Sequence, residues 1–371
     1  MKILLLGDYS NVHATLGKGL RELGHEVVVA SDGDGWKNYV RDIDLKREDL
    51  GKWNSIKYLF RLWKLFRSFR NYDIVQLINP VFLPLRAEKL LPFYRYLRRH
   101  NKRVFLGAFG MDHYWVKTGL DCQTFRYSDF NIGNKLRERE DVEIWKKDWL
   151  NGAKGNLNRI MAKDCDGIIA GLFEYYASYV EEYAEKLRFI PFPIDVDQAR
   201  LISDFGKTSF PSERKVRFFV GVQKSRSSYK GTDIMMRALL RLQKEMPEEV
   251  EIVRVENVPF EQYKSLMLSC DVLLDQLYSY TPAMNALQAM AQGLIVVGGG
   301  EPENYEIIAE TQIFPIINVL PDEEDVYKKL RTLVINKADL PRLSQESRQY
   351  VQKHHHHLSV AEKYISFWTS R

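Results

Sequence analysis

Short apolar runs recur along the chain, and each is followed by a stretch with helical periodicity. KILLLG at the start predicts a buried strand, and Asn11 to Leu23 a helix stopped by Gly24. HEVVVAS reads as a second strand, Lys52 to Phe69 as a helix and DIVQLIN as a strand. Leu83 to His100 reads as a helix, KRVFLGAFG as a strand, DGIIA as another, and Glu174 to Ala184 as a helix before a strand ending in IPFPID. These runs are continuously apolar rather than alternating. Strands of that kind are buried on both faces, so the pattern predicts parallel sheets covered by helices.

IPFPID and the polar stretch up to Arg214 read as a linker, after which the alternation restarts. KVRFFVGV, EVEIVRV, DVLLDQL and LIVVGGG predict strands. Helices are predicted from Thr232 to Lys244, Phe260 to Ser269 and near Asn304 to Ala309. The expected fold is α/β: two doubly wound Rossmann-like domains, residues 1–195 and 196–352, facing each other across a cleft. In such sheets ligands sit beyond the carboxyl ends of the strands. The region from Met111 to Asn158 is aromatic and polar and follows neither pattern.

Composition narrows the class. A length of 371 residues suits two domains, and 45% hydrophobic with 28% charged residues is ordinary for a globular protein. Three widely spaced cysteines argue against a disulfide framework or zinc cluster and fit a reducing cytoplasm. The apolar run at the start, Ile3 to Leu6, is too short for a signal peptide, and no stretch approaches a membrane span. The net charge of +5 is uneven: Lys52 to Arg103 holds thirteen Lys and Arg against two acidic residues, so the rest of the chain is net negative.

The segment YSYTPAMNALQAMAQG, Tyr278 to Gly293, is patterned to expose a helix start after a strand. Thr281 is expected to cap it and Pro282 to occupy its first turn, leaving the amides of Ala283, Met284 and Asn285 for an anion. Any strand–helix junction in such a sheet shares this outline. GVQKSRSSYKG adds Lys224, Arg226 and Lys230 in a loop entering the next helix, cations suited to a diphosphate. A basic surface loop is the plainer reading. The first strand ends at Gly7, and GDYSNVHATLGKG lacks the Gly-X-Gly-X-X-Gly of dehydrogenases. Asp32 and Asp34 form an Asp-X-Asp pair in a glycine-rich turn, better read as solvated than as a metal site. Metal binding by His354 to His357 is disfavoured, because four consecutive side chains diverge on a helix.

Taken together, the KG-TDIMMRAL, SCDVLLDQ, LQAMAQG and LIVVGGG segments resemble the donor domain of retaining GT-B glycosyltransferases of family 4. DCDGIIAGLFEYYASYVEEYAEKLRFIPFPID is similar to the segment closing their first domain. VAEKYISFW resembles the last helix, here residues 353–371, that crosses back to that domain. The resemblance implies transfer of a sugar from a UDP- or GDP-sugar to a glycan or lipid-linked acceptor, with retention and without a metal or other cofactor. It implies that Lys230, with Lys224 or Arg226, binds the diphosphate, since Val222 stands where the family has an Arg. The family's two Glu correspond to Tyr280, near the sugar, and Gln288, near the ribose. Gln288 keeps a carbonyl acceptor and loses the charge.

The same resemblance places the acceptor at Gly7 to Asn11 and at Gly107 to Trp115, with Asp112 and His113 orienting a hydroxyl. Alternatively Asp112 caps the next turn and His113 packs with Trp115; His13 is either a cleft residue or part of a helix's first turn. Trp53 to Arg70 is an aromatic and basic helix, followed by a second basic group from Arg95 to Arg103. Such a surface suits an anionic membrane, which implies a cytoplasmic protein peripheral to the inner face of the cell membrane. A sheet-covering helix with a basic solvated face is the other reading. No motif supports nucleic-acid binding. An epimerase-like enzyme on the same fold, and an inactive sugar-nucleotide-binding partner subunit, are the alternatives.

Overall fold

A computed structural model describes residues 1–47, 51–199, 214–222 and 227–371. The chain divides into two compact units. The first comprises Met1–Asp121, Glu138–Pro193 and His357–Arg371; the second comprises Cys122–Arg137 and Ile194–His356.

The first unit is built on strands β1 (Lys2–Leu6), β2 (Glu26–Ser31), β3 (Ile43–Asp44), β4 (Ile74–Leu77) and β5 (Arg103–Ala108), then β8 (Gly167–Ala170) and β9 (Leu187–Phe189). Strands β6 (Asn131–Ile132) and β7 (Lys135–Leu136) form a separate antiparallel hairpin. The seven-stranded sheet runs β3-β2-β1-β4-β5-β8-β9, parallel throughout, with Leu4 opposite Val28 on one side and Val75 on the other. Its order reverses between β1 and β4. Helices α1 (Val12–Glu22), α2 (Lys52–Phe66), α3 (Leu90–His100), α4 (His113–Gly119) and α5 (Phe173–Tyr183) belong to this unit.

The helix expected from Leu83 begins at Leu90, because Pro84 disfavours helical backbone at Leu83 and removes a donor. Tyr58, Leu62 and Phe66 of α2 share a buried cluster with Phe93, Tyr94 and Leu97 of α3 and with Leu4, Val75 and Val104 of the sheet. Continuous apolar runs therefore became central strands, as burial on both faces requires.

The second sheet runs β11-β10-β12-β13-β14, also parallel, from β10 (Val216–Val222), β11 (Val250–Glu256), β12 (Val272–Leu274), β13 (Ile295–Gly298) and β14 (Ile317–Asn318). Its order reverses between β10 and β12. Helices α6 (Thr232–Glu245), α7 (Met284–Ala291) and α8 (Pro302–Ile307) follow β10, β12 and β13 in turn. Met235, Ala238 and Leu242 of α6 pack on Phe218, Val220 and Leu274 in this unit's own core.

The last helix, α9 (His357–Thr369), returns to the first unit. It lies so close to α1 that a Cβ on Gly19 would stand 2.6 Å from the His357 carbonyl oxygen. Trp368 is fully buried and donates from its indole to Gln76 Oε1 at 3.3 Å.

Candidate functional site

The reversal of strand order in the second unit lies between β10 and β12, and the structure gathers polar groups at their carboxyl ends. β12 leads to Asp275, whose carboxylate accepts from Asn285 Nδ2 at 3.4 Å. Asn285 Oδ1 in turn accepts from the Tyr263 hydroxyl at 3.3 Å. At the end of β10, a Cβ on Gly221 would fall 2.9 Å from that same hydroxyl, so a side chain there would displace Tyr263. Burial raises the Asp275 carboxyl above the usual carboxylate range, and the charge of Lys230 works against the shift.

Lys230 closes a short helix, Ser227–Lys230, and its carbonyl accepts from Leu277 N at 2.9 Å. Gly231 follows with φ +72°, and its Cβ would stand 2.5 Å from Leu277 Cβ. Only glycine suits that tight, left-handed position. Lys224 and Arg226 lie outside the described residues.

Helix α7 begins at Met284, with Ala283 as an extended N-cap that makes no side-chain capping bond. Thr281 therefore does not cap the helix. It is buried two residues upstream, with its carbonyl accepting from the Ser279 hydroxyl at 2.6 Å, because Pro282 disfavours helical backbone at Thr281. The outward-facing first-turn amides are those of Met284, Asn285 and Ala286, one residue later than the sequence pattern placed them. No acidic side chain occupies that turn. Gln288 sits one turn on and is half-buried.

Tyr280 has a different role from the sugar contact that the resemblance implies. It is 2% exposed, and its hydroxyl accepts from the backbone N–H of Arg126 at 2.7 Å. The Arg126 guanidinium lies 4.8 Å from the Tyr280 ring centroid and donates to Glu301 at 2.8 Å and to Glu303 at 2.5 and 3.0 Å. Tyr127 donates to Glu301, which also accepts from Asn318 Nδ2 at 2.9 Å. Ring and hydroxyl thus hold the Cys122–Arg137 segment, which sequence order would assign to the first domain. The sequence carries no local sign of this cluster, because Arg126 stands 175 residues from Glu301 and no local pattern links them.

In the first unit the reversal lies at Gly7. Gly7 has φ +79°, and a Cβ there would fall 2.3 Å from Ile78 Cγ2. Ser10 and Asn11 also adopt left-handed backbone. The buried Asp8 carboxylate accepts from His13 N at 3.0 Å and Ala14 N at 3.2 Å, filling the start of α1 with its own anion. Burial raises the Asp8 carboxyl to about 7, opposed by those two amides. His13 Nδ1 lies 2.6 Å from the Gly7 carbonyl oxygen, so Nδ1 carries the proton and Nε2 is an acceptor. Burial lowers His13 to about 3, and Nε2 has no partner among the described residues. The Asp32–Asp34 pair forms a turn, with Asp34 accepting from Ser10 N at 2.9 Å and Lys37 Nζ at 2.6 Å.

Asp112 and His113 are adjacent, yet both are engaged inward. Asp112 is the N-cap of α4, accepting from Trp115 N at 2.9 Å and from the Tyr179 hydroxyl at 2.7 Å. It is fully buried, which raises its carboxyl to about 6 against those bonds. His113 Nδ1 lies 2.7 Å from the Trp149 carbonyl oxygen, and burial lowers its pKa. The structure thus gives them capping and packing roles in place of hydroxyl orientation. Among the histidines near the C-terminus, His354 meets Glu310 at 2.5 Å and His357 meets Glu22 at 3.1 Å.

No protein-family model and no curated sequence matches the chain. Solved structures do. Sucrose-phosphate synthase from Thermosynechococcus elongatus aligns with a TM-score of 0.58 at 14% identity, over 100% of this chain and 99% of that one. Anabaena HepE, in complex with UDP and glucose, aligns with a TM-score of 0.60 at 12% identity over 100% of both chains. WaaG, a glycosyltransferase involved in lipopolysaccharide biosynthesis, aligns with a TM-score of 0.58 at 12% identity, again over both whole chains. The fold is GT-B. Its two Rossmann-like units are those just described, and the Lys230–Asp275–Asn285 cluster lies at the strand ends of the C-terminal one.

Proposed function

We propose that this GT-B protein is a retaining glycosyltransferase that moves a sugar from a nucleoside diphosphate sugar, UDP- or GDP-linked, to a glycan or lipid-linked acceptor. The observation carrying this reading is the uncapped start of α7 beside Lys230, at the strand ends where such sheets bind ligands. HepE, similar over its whole length, has been solved with UDP-glucose, and that supports the choice of donor.

As the bond from the sugar to the diphosphate breaks, negative charge grows on the leaving phosphate. Lys230 and the amides of Met284 to Ala286 are fixed in place before the reaction, so they stabilise that charge without reorganising. This preorganised positive charge is the basis for reading the transfer as metal-independent. The departing phosphate oxygen takes the acceptor hydroxyl's proton as the new glycosidic bond forms on the same face. That route calls for no side-chain base, in keeping with the inward engagement of Asp112 and His113.

The acceptor reading draws on α2. Trp53, Ile56 and Phe60 are 77%, 61% and 74% exposed, interleaved with exposed Lys57, Arg61, Lys64 and Arg67. A plain sheet-covering helix would not present three large apolar side chains to water. The arrangement suits the headgroup region of an anionic membrane. The second basic group contributes less, because Arg98 pairs with Asp164 and Asp166, and Lys102 with Asp73. No described helix is long and apolar enough to cross a membrane, so the attachment proposed is peripheral, at the cytoplasmic face.

Incubation of the full chain with labelled UDP- and GDP-sugars and a lipid-linked acceptor mixture tests the reaction. Transfer with retained anomeric configuration is expected. Nucleotide binding without transfer would instead favour an inactive partner subunit, a reading suggested by Tyr280 and Gln288 standing where carboxylates are usual. Release of an isomerised donor would favour an epimerase. Flotation with liposomes should depend on anionic lipid, and equal flotation with neutral vesicles would remove the membrane assignment.

A further inference from the structure

We infer that the Asp275 carboxylate recognises hydroxyls in the C-terminal unit, accepting from the rings that flank the diphosphate of a sugar nucleotide. The inference rests on the nucleotide-sugar reading above and gives a role to an acid that the reading leaves unused. Asp275 is the first residue past β12, the middle strand of its sheet. Val220 of β10 and Val297 of β13 are both level with Leu274. One residue further on, Asp275 therefore stands between Gly221 and Gly298. Neither neighbouring strand sets a side chain beside the carboxylate, and a Cβ on Gly298 would lie only 3.7 Å from Asp275 Cβ. Glycine at such a point leaves room for a ligand to approach closely. Within this cradle the acid is half-buried.

The carboxylate is also held in place. Asn285 Nδ2 donates to its Oδ1 at 3.4 Å while Asn285 Oδ1 accepts from the Tyr263 hydroxyl at 3.3 Å, so that amide is fixed at both ends. The Gln276 side chain donates as well. Two amides occupy only part of a carboxylate, which can accept about four hydrogen bonds. Neither amide cancels its charge, and Lys230 acts on it through its field. A negative charge beside an anion site opposes a bare phosphate. It favours only a ligand that brings O–H donors together with its phosphates. A sugar nucleotide has that composition, with a hydroxyl-bearing ring on each side of the diphosphate. Hydrogen bonds from hydroxyls to a carboxylate are charge-assisted and strong, so Asp275 makes an anion site selective for a hydroxylated anion.

The test adds one ring at a time to a diphosphate and reads each affinity by calorimetry on the full chain. Wild type and Asp275→Asn are titrated at pH 8 with inorganic pyrophosphate, UDP and UDP-glucose, and in parallel with GDP and GDP-glucose. Asparagine keeps a carbonyl to accept from Asn285 and removes the charge. Asp275→Asn should leave pyrophosphate unchanged or tighten it by up to about threefold, and weaken the hydroxylated ligand about tenfold or more. Weakening that begins at UDP assigns the ribose; weakening that begins at UDP-glucose assigns the sugar. Equal loss of every ligand, pyrophosphate included, would overturn the inference and leave Asp275 shaping the helix start through Asn285. Affinities that all rise, or all stay, would overturn it while the nucleotide reading stands. On wild type alone, 2′,3′-dideoxy-UDP or UDP-2-deoxyglucose should bind about tenfold more weakly than its parent, and parity in both pairs would overturn the inference without any variant. A wild type that binds neither the uridine nor the guanosine ligands would overturn the nucleotide reading and this inference together.

Discussion

The two reversals of strand order, one in each unit, have the same architecture and opposite chemistry. At Gly7 the polar groups turn inward: Asp8 fills the start of α1, Asp112 fills the start of α4, and His113 is bonded to the Trp149 carbonyl. At Asp275 the start of α7 has no side-chain cap and no acid in its first turn, and a lysine stands nearby. A helix start that holds its own carboxylate has no field to spare for a phosphate. The difference teaches that what the sequence leaves out at a strand–helix junction decides whether the field of the helix start stays open to an anion.

The comparison can be broken first at Asp8. Its native pKa is raised to about 7 from an ordinary 3.8, so the unfolded chain loses this proton near pH 4 while the native chain keeps it until about 7. Its contribution to stability is therefore full below pH 4 and lost as pH rises through 7, about 4 kcal/mol in all. Asp8→Asn should flatten the pH dependence of chemical denaturation over that window. An unaltered pH profile would mean that Asp8 is not charged at the cost supposed.

Asp112→Ala comes next. It strands the Trp115 amide and the Tyr179 hydroxyl and should cost about 3 kcal/mol of folding stability. Nucleotide affinity of the folded fraction should not move; a large loss of turnover at unchanged stability would return Asp112 to the chemistry. Lys230→Ala should do the reverse, lowering UDP or GDP affinity by about 2 kcal/mol, roughly thirtyfold, with the melting temperature nearly unchanged. Unchanged affinity there would dissolve the contrast between the two reversals.

Much of this was legible along the chain because parallel strands advertise themselves. VRFFVGV and LIVVGGG are apolar on both faces, a pattern with one common physical cause, and they became β10 and β13. Helix limits followed from local chemistry too: the helix expected from Thr232 to Lys244 runs Thr232–Glu245. Where local signals conflict, the structure departs from the pattern. Thr281-Pro282 has the composition of a cap and first turn, yet Ala283 is extended and the helix begins only at Met284.

The sequence alone therefore determined the alternation of strands and helices and the cation and glycine before α6, since each depends on neighbours a few residues apart. Only tertiary structure decided what each polar group faces. Whether Asp112 meets a hydroxyl of substrate or that of Tyr179 depends on a helix 67 residues away. Tyr280 holds a segment carrying Arg126 from 154 residues upstream, and the same segment sets Arg137 against the Tyr278 ring and the Tyr229 carbonyl. Such pairings leave no periodic trace, because contacts closed across long loops are chosen by packing and charge in the folded chain.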